Sequence, residues 1–250
     1  MFARFWSTTK TMINIVIPMA GAGKRFQDAG YTVPKPFIDI KGKTMLEWSL
    51  ESLYMKSSRF ILIVRTPQLL GYENVMEAIQ KKYPCVVIPI DALTQGMASS
   101  VLLAAEHINS EDPLLIGACD QTVDVSMGEF VGDAKKRKLA GSLMTFYSTH
   151  PKWSYAKVDE QGFVVETKEK SPISTHANVG LYYFERGQDF VSAANQMIAQ
   201  NDRVNNEFYV APVYNYLIKQ GLKIGIYEIK ESQMHGLGTP EDLQEFLRAQ

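Results

Sequence analysis

The chain predicts an α/β fold: a mostly parallel central sheet with helices on both faces, carrying a small substrate-binding lobe. Three observations lead there. Short apolar runs alternate with longer helical patterns through the first two-thirds of the sequence, the order that right-handed β–α–β crossovers require. The first run ends in a loop of small residues, Ala20-Gly21-Ala22-Gly23. From about Trp153 the pattern changes to a hairpin followed by mixed strands and helices.

The elements follow in order. Asn14–Pro18, Phe60–Val64, Val86–Ile90, Leu114–Ala118 and Ser142–Tyr147 are short apolar runs of strand length. Between them, helical patterns occupy Thr44–Met55, Tyr72–Lys82, Gly96–His107 and Met127–Lys138. Tyr155–Val158 and Gly162–Thr167 flank Asp159-Glu160-Gln161-Gly162 as a hairpin. A strand at Ala177–Phe184, helices at Gly187–Gln200 and Phe208–Gln220, and a strand at Lys223–Ile229 complete the lobe. A last helix, Pro240–Leu247, starts with Thr239 at the N-cap, Pro240 at N1 and carboxylates in the first turn. The chain has no internal repeat and no Pro/Gly/Ser linker, so residues 13–250 are expected to form one domain after an extension over 1–12. Its first half, to about residue 150, precedes the lobe.

With 250 residues the chain can bury a substantial core. Its net charge of −1 gives no reason to expect nucleic acid or an anionic membrane as partner. Cys85 and Cys119 lie in apolar runs and are expected to be reduced core thiols. No apolar run approaches the ~20 residues of a membrane span. The first twelve residues lack the apolar stretch of a signal peptide. A cytoplasmic protein without membrane insertion is the expectation, and a homo-oligomer stays open.

The chemistry concentrates between Ile13 and Phe37. Small residues at Ala20, Gly21, Ala22 and Gly23 let backbone N–H groups approach an anion, and Lys24, Arg25 and Lys35 neutralise it. The P-loop pattern is absent because Arg25 stands at the Ser/Thr place. The dinucleotide pattern fails because Phe26 replaces its third glycine. A tight strand–helix connection would use the same glycines. Ligands in parallel sheets bind beyond the carboxyl ends of the strands. The glycine loop, the Thr94-Gln95-Gly96 turn and Asp120 are all expected at that edge.

Asp120 closes the run Leu114-Leu115-Ile116-Gly117-Ala118-Cys119 and is placed to hold Mg²⁺ on a triphosphate; a solvated loop carboxylate is the alternative. Asp124 is a spacing partner or a cap for the following helix. Lys170 can reach a phosphate and Glu169 a hydroxyl, though Lys-Glu pairs are usually solvated. Asn178 and Gly180 open a strand expected to cross the pocket. Glu207 contacts a hydroxyl or a metal, or complements a helix N-terminus. The four histidines form no metal-spaced cluster with cysteine, and only His235 lies near the final loop. Trp153 and Tyr155 line a pocket or simply pack.

Six motifs in order give a resemblance covering the chain from Ile13 to Leu247. They are Ala20 to Phe26, Pro34-Lys35-Pro36, Asp120, Glu169 to Pro172, Asn178 to Gly180, and Gly238 to Leu243. The sequence resembles the sugar-phosphate nucleotidyltransferases, the NDP-sugar pyrophosphorylase-like superfamily, and most of all its small capsule- and surface-polysaccharide-associated members. The resemblance implies a Rossmann-like, GT-A-type fold and a Mg²⁺-dependent condensation of a nucleoside triphosphate with a sugar phosphate or other small phosphate ester, releasing pyrophosphate. It implies that Arg25 and Lys35 stabilise the triphosphate, Asp120 holds Mg²⁺ and Lys170 holds the attacking phosphate. Glu169, Asn178, Gly180 and Glu207 would face the acceptor. The nucleotide would lie along Ala20 to Lys24, with Thr94 and Gly96 near the base. Asp91 would accept from an exocyclic amine, which cytosine and guanine have and uracil and thymine lack, so the lean is to CTP; a loop carboxylate pointing to water is the alternative. One departure stands out: Gly236 occupies the position where many members carry a second metal-binding aspartate. Two other readings stay open, a nucleotide-sugar-dependent glycosyltransferase and a catalytically silent nucleotide-binding homologue. Asp120-Gln121-Thr122 lacks the Asp-x-Asp pair that the first would need.

Overall fold

The computed structural model describes residues 12–249. In chain order the elements are β1 (Ile13–Pro18), α1 (Lys24–Asp28), β2 (Asp39–Ile40), β3 (Lys43–Thr44), α2 (Met45–Leu53), β4 (Ser58–Arg65), α3 (Thr66–Leu69), α4 (Glu73–Lys82), β5 (Cys85–Ile90), α5 (Met97–Leu102), α6 (Ala105–Ile108), β6 (Leu114–Ile116), β7 (Gln121–Val123) and α7 (Met127–Lys136). The second part contains β8 (Gly141–Tyr147), β9 (Ser154–Val158), β10 (Val164–Glu169), β11 (His176–Phe184), α8 (Gly187–Ala199), α9 (Val213–Lys219), β12 (Ile224–Glu228), β13 (Met234–Gly236) and α10 (Pro240–Ala249). The expected N-terminal extension lies outside the described residues, apart from Met12.

The main sheet runs β10-β9-β11-β6-β1-β4-β5, with β8 beside β11 and β12 beside β8. β6, β1, β4 and β5 are mutually parallel. β11 runs antiparallel to both β6 and β8, so β8 regains the direction of β1, and β12 lies parallel to it. The mostly parallel sheet is therefore present, with one rearrangement. The fifth run in sequence does not neighbour the fourth, because β11 comes back from the second half of the chain and inserts between them.

Alternation along the central strands explains the layers. Ile15 and Ile17 pack on one face with Leu46, Leu50, Ile79 and Phe130 from α2, α4 and α7. Val16, Ile61 and Ile63 pack on the other with Val101, Phe190 and Leu217 from α5, α8 and α9. A strand covered on both faces needs a continuous apolar run, which is what the sequence shows. A third, smaller cluster joins Phe26, Ile38, Ile40, Met45, Leu237, Leu243 and Phe246. It fixes α10 and the segment before it against the glycine-loop region.

Helix ends follow local chemistry. Thr44 caps α2: its Oγ1 accepts from Glu47 N at 3.2 Å, and Glu47 Oε2 accepts from Thr44 N at 2.8 Å. Two expected helices are corrected. The pattern over Gly96–His107 breaks into α5 and α6, because Leu103 and Ala104 donate to carbonyls three residues back and tighten the turn. The helix expected from Phe208 begins only at Val213. Phe208 instead bonds the β5–α5 turn, donating to Gln95 O at 2.8 Å and accepting from Ala98 N at 2.9 Å. Pro212 then caps α9 and biases Ala211 away from helix. The two-stranded β7–β13 pair was not expected; it aligns Gly236 with Gln121 and His235 with Thr122.

Candidate active site

The loop Ala20–Gly23 joins β1 to α1. No hydrogen bond among the described residues is donated by the N–H groups of Ala20, Gly21, Ala22 or Gly23. The carbonyls between them are tied back. Gln68 Nε2 donates to Gly21 O and Gln27 Nε2 to Ala22 O, each at 3.0 Å. Drawing carbonyl oxygens away and leaving amides uncommitted makes an anion-binding concavity. Gln68 is 5 % exposed and was not singled out from sequence, because a glutamine in a strand–helix turn carries no distinctive pattern.

Facing this loop is an ion pair. Lys35 Nζ lies 2.7 Å from Asp120 Oδ2, with both side chains largely covered. Burial alone would push the Asp120 carboxyl up. The charge and hydrogen bond of Lys35, with Arg25 beyond, outweigh it and hold the group below the usual range. Burial likewise works against the Lys35 ammonium, but Asp120 raises it and keeps it charged. Arg25 is exposed and lies close enough to act on both. Lys24 turns outward to Asp28 at 3.0 Å, so its side chain is engaged at the surface.

The chain's closing segment locks Asp120 in place. Leu237 N donates to Asp120 O at 2.8 Å. Gly238 lets this happen: a Cβ there would sit 3.0 Å from Asp120 Oδ2. Thr239 Oγ1 caps α10 by accepting from Asp242 N at 3.1 Å. A Cβ at Gly236 would lie 3.8 Å from Asp242 Oδ2, so a carboxylate from the first turn of α10 adjoins that position. His235 Nε2 is 2.7 Å from Asp124 Oδ2, which engages both residues with each other. Ser126 is the residue at the N-cap of α7, so Asp124 does not cap it.

At the end of β5, Thr94 Oγ1 contacts Ser100 Oγ at 2.5 Å and Gly96 O at 3.2 Å. Gly96 has φ +122°, and a Cβ there would meet Phe208 N and O at 2.6 Å. The turn is thereby pressed against the segment before α9. Asp91 is exposed, and Thr66 Oγ1 donates to its Oδ1 at 2.9 Å.

A second corner forms where β10 ends. Burial pushes the Glu169 carboxyl up to about 7; Lys170 opposes this and Glu207 adds to it. Lys170 Nζ donates to Tyr209 Oη at 2.8 Å, a bond that raises the lysine pKa despite some burial. Glu207 is exposed and precedes α9 by several residues, so it does not serve that helix's N-terminus. Tyr209 belongs to this corner and was read from sequence only as part of a helix. Asn178 is 3 % exposed; its Oδ1 accepts from Gly180 N at 2.8 Å, while its Nδ2 has no partner among the described residues. Trp153 packs edge-on against Phe146, and Tyr155 is fully buried, so both are packing residues. Both thiols are free and burial pushes each up to about 12; Cys119 is a core residue as expected, whereas Cys85, on the edge strand β5, is only partly buried.

Among the described residues, no group of three or more His, Cys, Asp or Glu side chains is gathered as a metal cage. Asp120 offers one hard oxygen donor beside the amide-lined loop. This donor set fits Mg²⁺, which commonly takes one or two carboxylates and fills its remaining positions with phosphate oxygens and water. No helix among the described residues is long and apolar enough to cross a membrane.

A mostly parallel sheet with uncommitted loop amides and a Lys–Asp pair at its carboxyl edge is an α/β arrangement chemically suited to an anion. A family model described as nucleotidyl transferase matches residues 14–243. The chain belongs to that family. It is 25% identical over 183 residues to a glucose-1-phosphate thymidylyltransferase of Mycolicibacterium smegmatis, covering 68% of this chain and 60% of that protein. It is 23% identical over 236 residues to a 2-aminoethylphosphonate cytidylyltransferase of Lancefieldella rimae, covering 93% and 91%. Among solved structures, a nucleoside-diphosphate-sugar pyrophosphorylase from Vibrio cholerae superposes with a TM-score of 0.83 at 30% identity, covering 94% of this chain and 99% of that one.

Proposed function

We propose that the chain is a Mg²⁺-dependent nucleotidyltransferase that joins a nucleoside triphosphate to a sugar phosphate or other small phosphate ester and releases pyrophosphate. The observation that carries this reading is the uncommitted amide loop set against the Lys35–Asp120 pair, with a separate cationic corner at Lys170. In this reading the nucleotide lies along Ala20 to Lys24 and the Thr94–Gly96 turn. Arg25 and Lys35 stabilise charge on the departing phosphates. Lys170 orients the acceptor phosphate, and Glu169, Asn178, Gly180 and Glu207 face the rest of that molecule. Asp120 is the residue that would hold Mg²⁺, which when bound neutralises charge on the triphosphate. The attacking phosphate oxygen is already anionic, so no general base is required.

For the base we favour cytosine. Asp91 is an acceptor held in place by Thr66, and an exocyclic amine is the complementary donor. Relatives named for thymidylyl and cytidylyl transfer both occur. The expected setting is cytoplasmic, within surface-polysaccharide or related phosphate-ester synthesis. The test is a matrix of four nucleoside triphosphates against sugar 1-phosphates and amine-bearing phosphate esters, read by pyrophosphate release. Release confined to one triphosphate and one acceptor class is the expected result. Absence of release with every pair, while nucleotide still binds, would reject the enzymatic reading.

A further inference from the structure

A cavity of about 220 Å³ adjoins the glycine loop, and its walls include Ala22, Gly23, Tyr31, Lys35, Arg65 and Gln68. The Arg65 side chain makes no hydrogen bond or ion pair with Lys35, Asp120 or Lys170. Arg65 is the last residue of β4, the strand beside β1, and β1 itself leads directly into the loop. The residue is half-buried, and its Nε is enclosed with no hydrogen-bond partner among the described residues. No ion pair among the described residues includes it.

This is an unusual condition for an arginine. A guanidinium is a rigid fork of five donors, and enclosing one without an acceptor is costly. The other cation in the cavity wall, Lys35, is already answered by Asp120. Arg65 is also fixed to the loop. Its backbone N–H donates to Gln68 Oε1 at 3.2 Å, while Gln68 Nε2 holds Gly21 O at 3.0 Å. One glutamine thus sets both the amides of the loop and the arginine opposite them. What completes such a cavity is an anion with several oxygens.

Resting on the nucleotidyl-transfer reading, we propose that Arg65 binds the two terminal phosphates of the nucleoside triphosphate in this cavity, and so holds the pyrophosphate as it leaves. The sheet order separates this anion from the acceptor's. β6 and β1 stand between β4 and β11, whereas the Lys170 corner lies at the β10–β11 end. In the transfer an acceptor phosphate oxygen forms a bond to the α-phosphorus. The bond from the α-phosphorus to the oxygen bridging it to the β-phosphorus breaks, and its electron pair stays on that oxygen, now part of pyrophosphate. Arg65 donates to the oxygens that gain this charge.

The test uses inorganic pyrophosphate as a probe independent of the base. Calorimetric titration of the full chain in Mg²⁺ is expected to show affinity falling ~10–100-fold in Arg65→Met, the range for charge-assisted hydrogen bonds. Arg65→Lys should recover part of it. Binding of the nucleoside monophosphate with the accepted base should stay unchanged in both variants, and thermal unfolding checks that each folds. Unchanged pyrophosphate affinity in folded R65M would overturn the proposal. So would a parallel loss of monophosphate and pyrophosphate binding, the mark of a structural role. If the unaltered chain releases pyrophosphate in the substrate matrix while R65M binds it normally, only the Arg65 assignment falls. If the unaltered chain binds no nucleotide, the underlying reading falls as well.

Discussion

Lys35 Nζ and Asp120 Oδ2 lie 2.7 Å apart across 85 residues of sequence, one in the turn after the glycine loop and the other after β6. Neither charge has a second opposite partner within ion-pair distance among the described residues. Each therefore fixes the other's position as well as its charge. Asp120→Asn is expected to reduce pyrophosphate release at least ~100-fold and to cost about 2 kcal/mol of stability, the scale of a charge-assisted hydrogen bond. The sign with pH follows from the lowered carboxyl. Its stabilisation is present above the unfolded value of 3.8 and fades as pH falls through the lower folded value. The stability gap between D120N and the parent, measured by urea unfolding, should therefore narrow in strong acid.

Glu169 titrates the other way. Its folded value of about 7 lies above the unfolded 4.5, so the folded chain holds more protons than the unfolded one between them. Stability is then expected to decline as pH rises from 4.5 to 7, and Glu169→Gln should remove that part of the slope. If the ionised form accepts from an acceptor hydroxyl, KM for the acceptor should fall through an inflection near 7 and become flat in E169Q. Initial rates across pH decide this.

Two glycines should separate stability from catalysis. Gly96→Ala puts a Cβ 2.6 Å from the Phe208 backbone at φ +122°, where neither partner can retreat. A loss of about 3 kcal/mol in denaturant unfolding is expected. Gly238→Ala meets Asp120 Oδ2 at 3.0 Å instead. A side-chain tip can move, so a stability loss of about 1 kcal/mol with a rate loss of at least ~10-fold is expected.

Gln68→Ala releases the Gly21 carbonyl and the Arg65 amide together. KM for the nucleoside triphosphate should rise ~10-fold or more with little change in acceptor KM. A uniform fall in kcat with both KM values unchanged would show that the glutamine does not organise the loop.

Much of this arrangement was legible in the sequence. The centres of β1, β4 and β6 are apolar because both faces are covered, the edge strand β5 is apolar but only partly buried, and the spacing of the four implied parallel crossovers. Asp120 and the glycine loop fell at one edge because parallel strands share their carboxyl ends. The features without a local sequence signal depend on distant partners. Phe208 is patterned for a helix, yet the backbone of the Gly96 turn claims its N–H and C=O. Gln68 and Arg65 look ordinary until the loop is seen beside them. The insertion of β11 between β6 and β8 has no local signature, since the choice lies in which strand finds which edge.

The β7–β13 pair has a consequence for how the protein comes into being. On the ribosome, Asp120 emerges more than a hundred residues before Leu237, whose amide fixes its carbonyl. The first half can gather its strands and its Lys35–Asp120 pair early, but the Asp120 carbonyl meets its partner only when the closing segment arrives. A chain stopped short of residue 234 should thus be compact but release pyrophosphate more slowly, which far-UV circular dichroism and a release assay on the truncated chain would check.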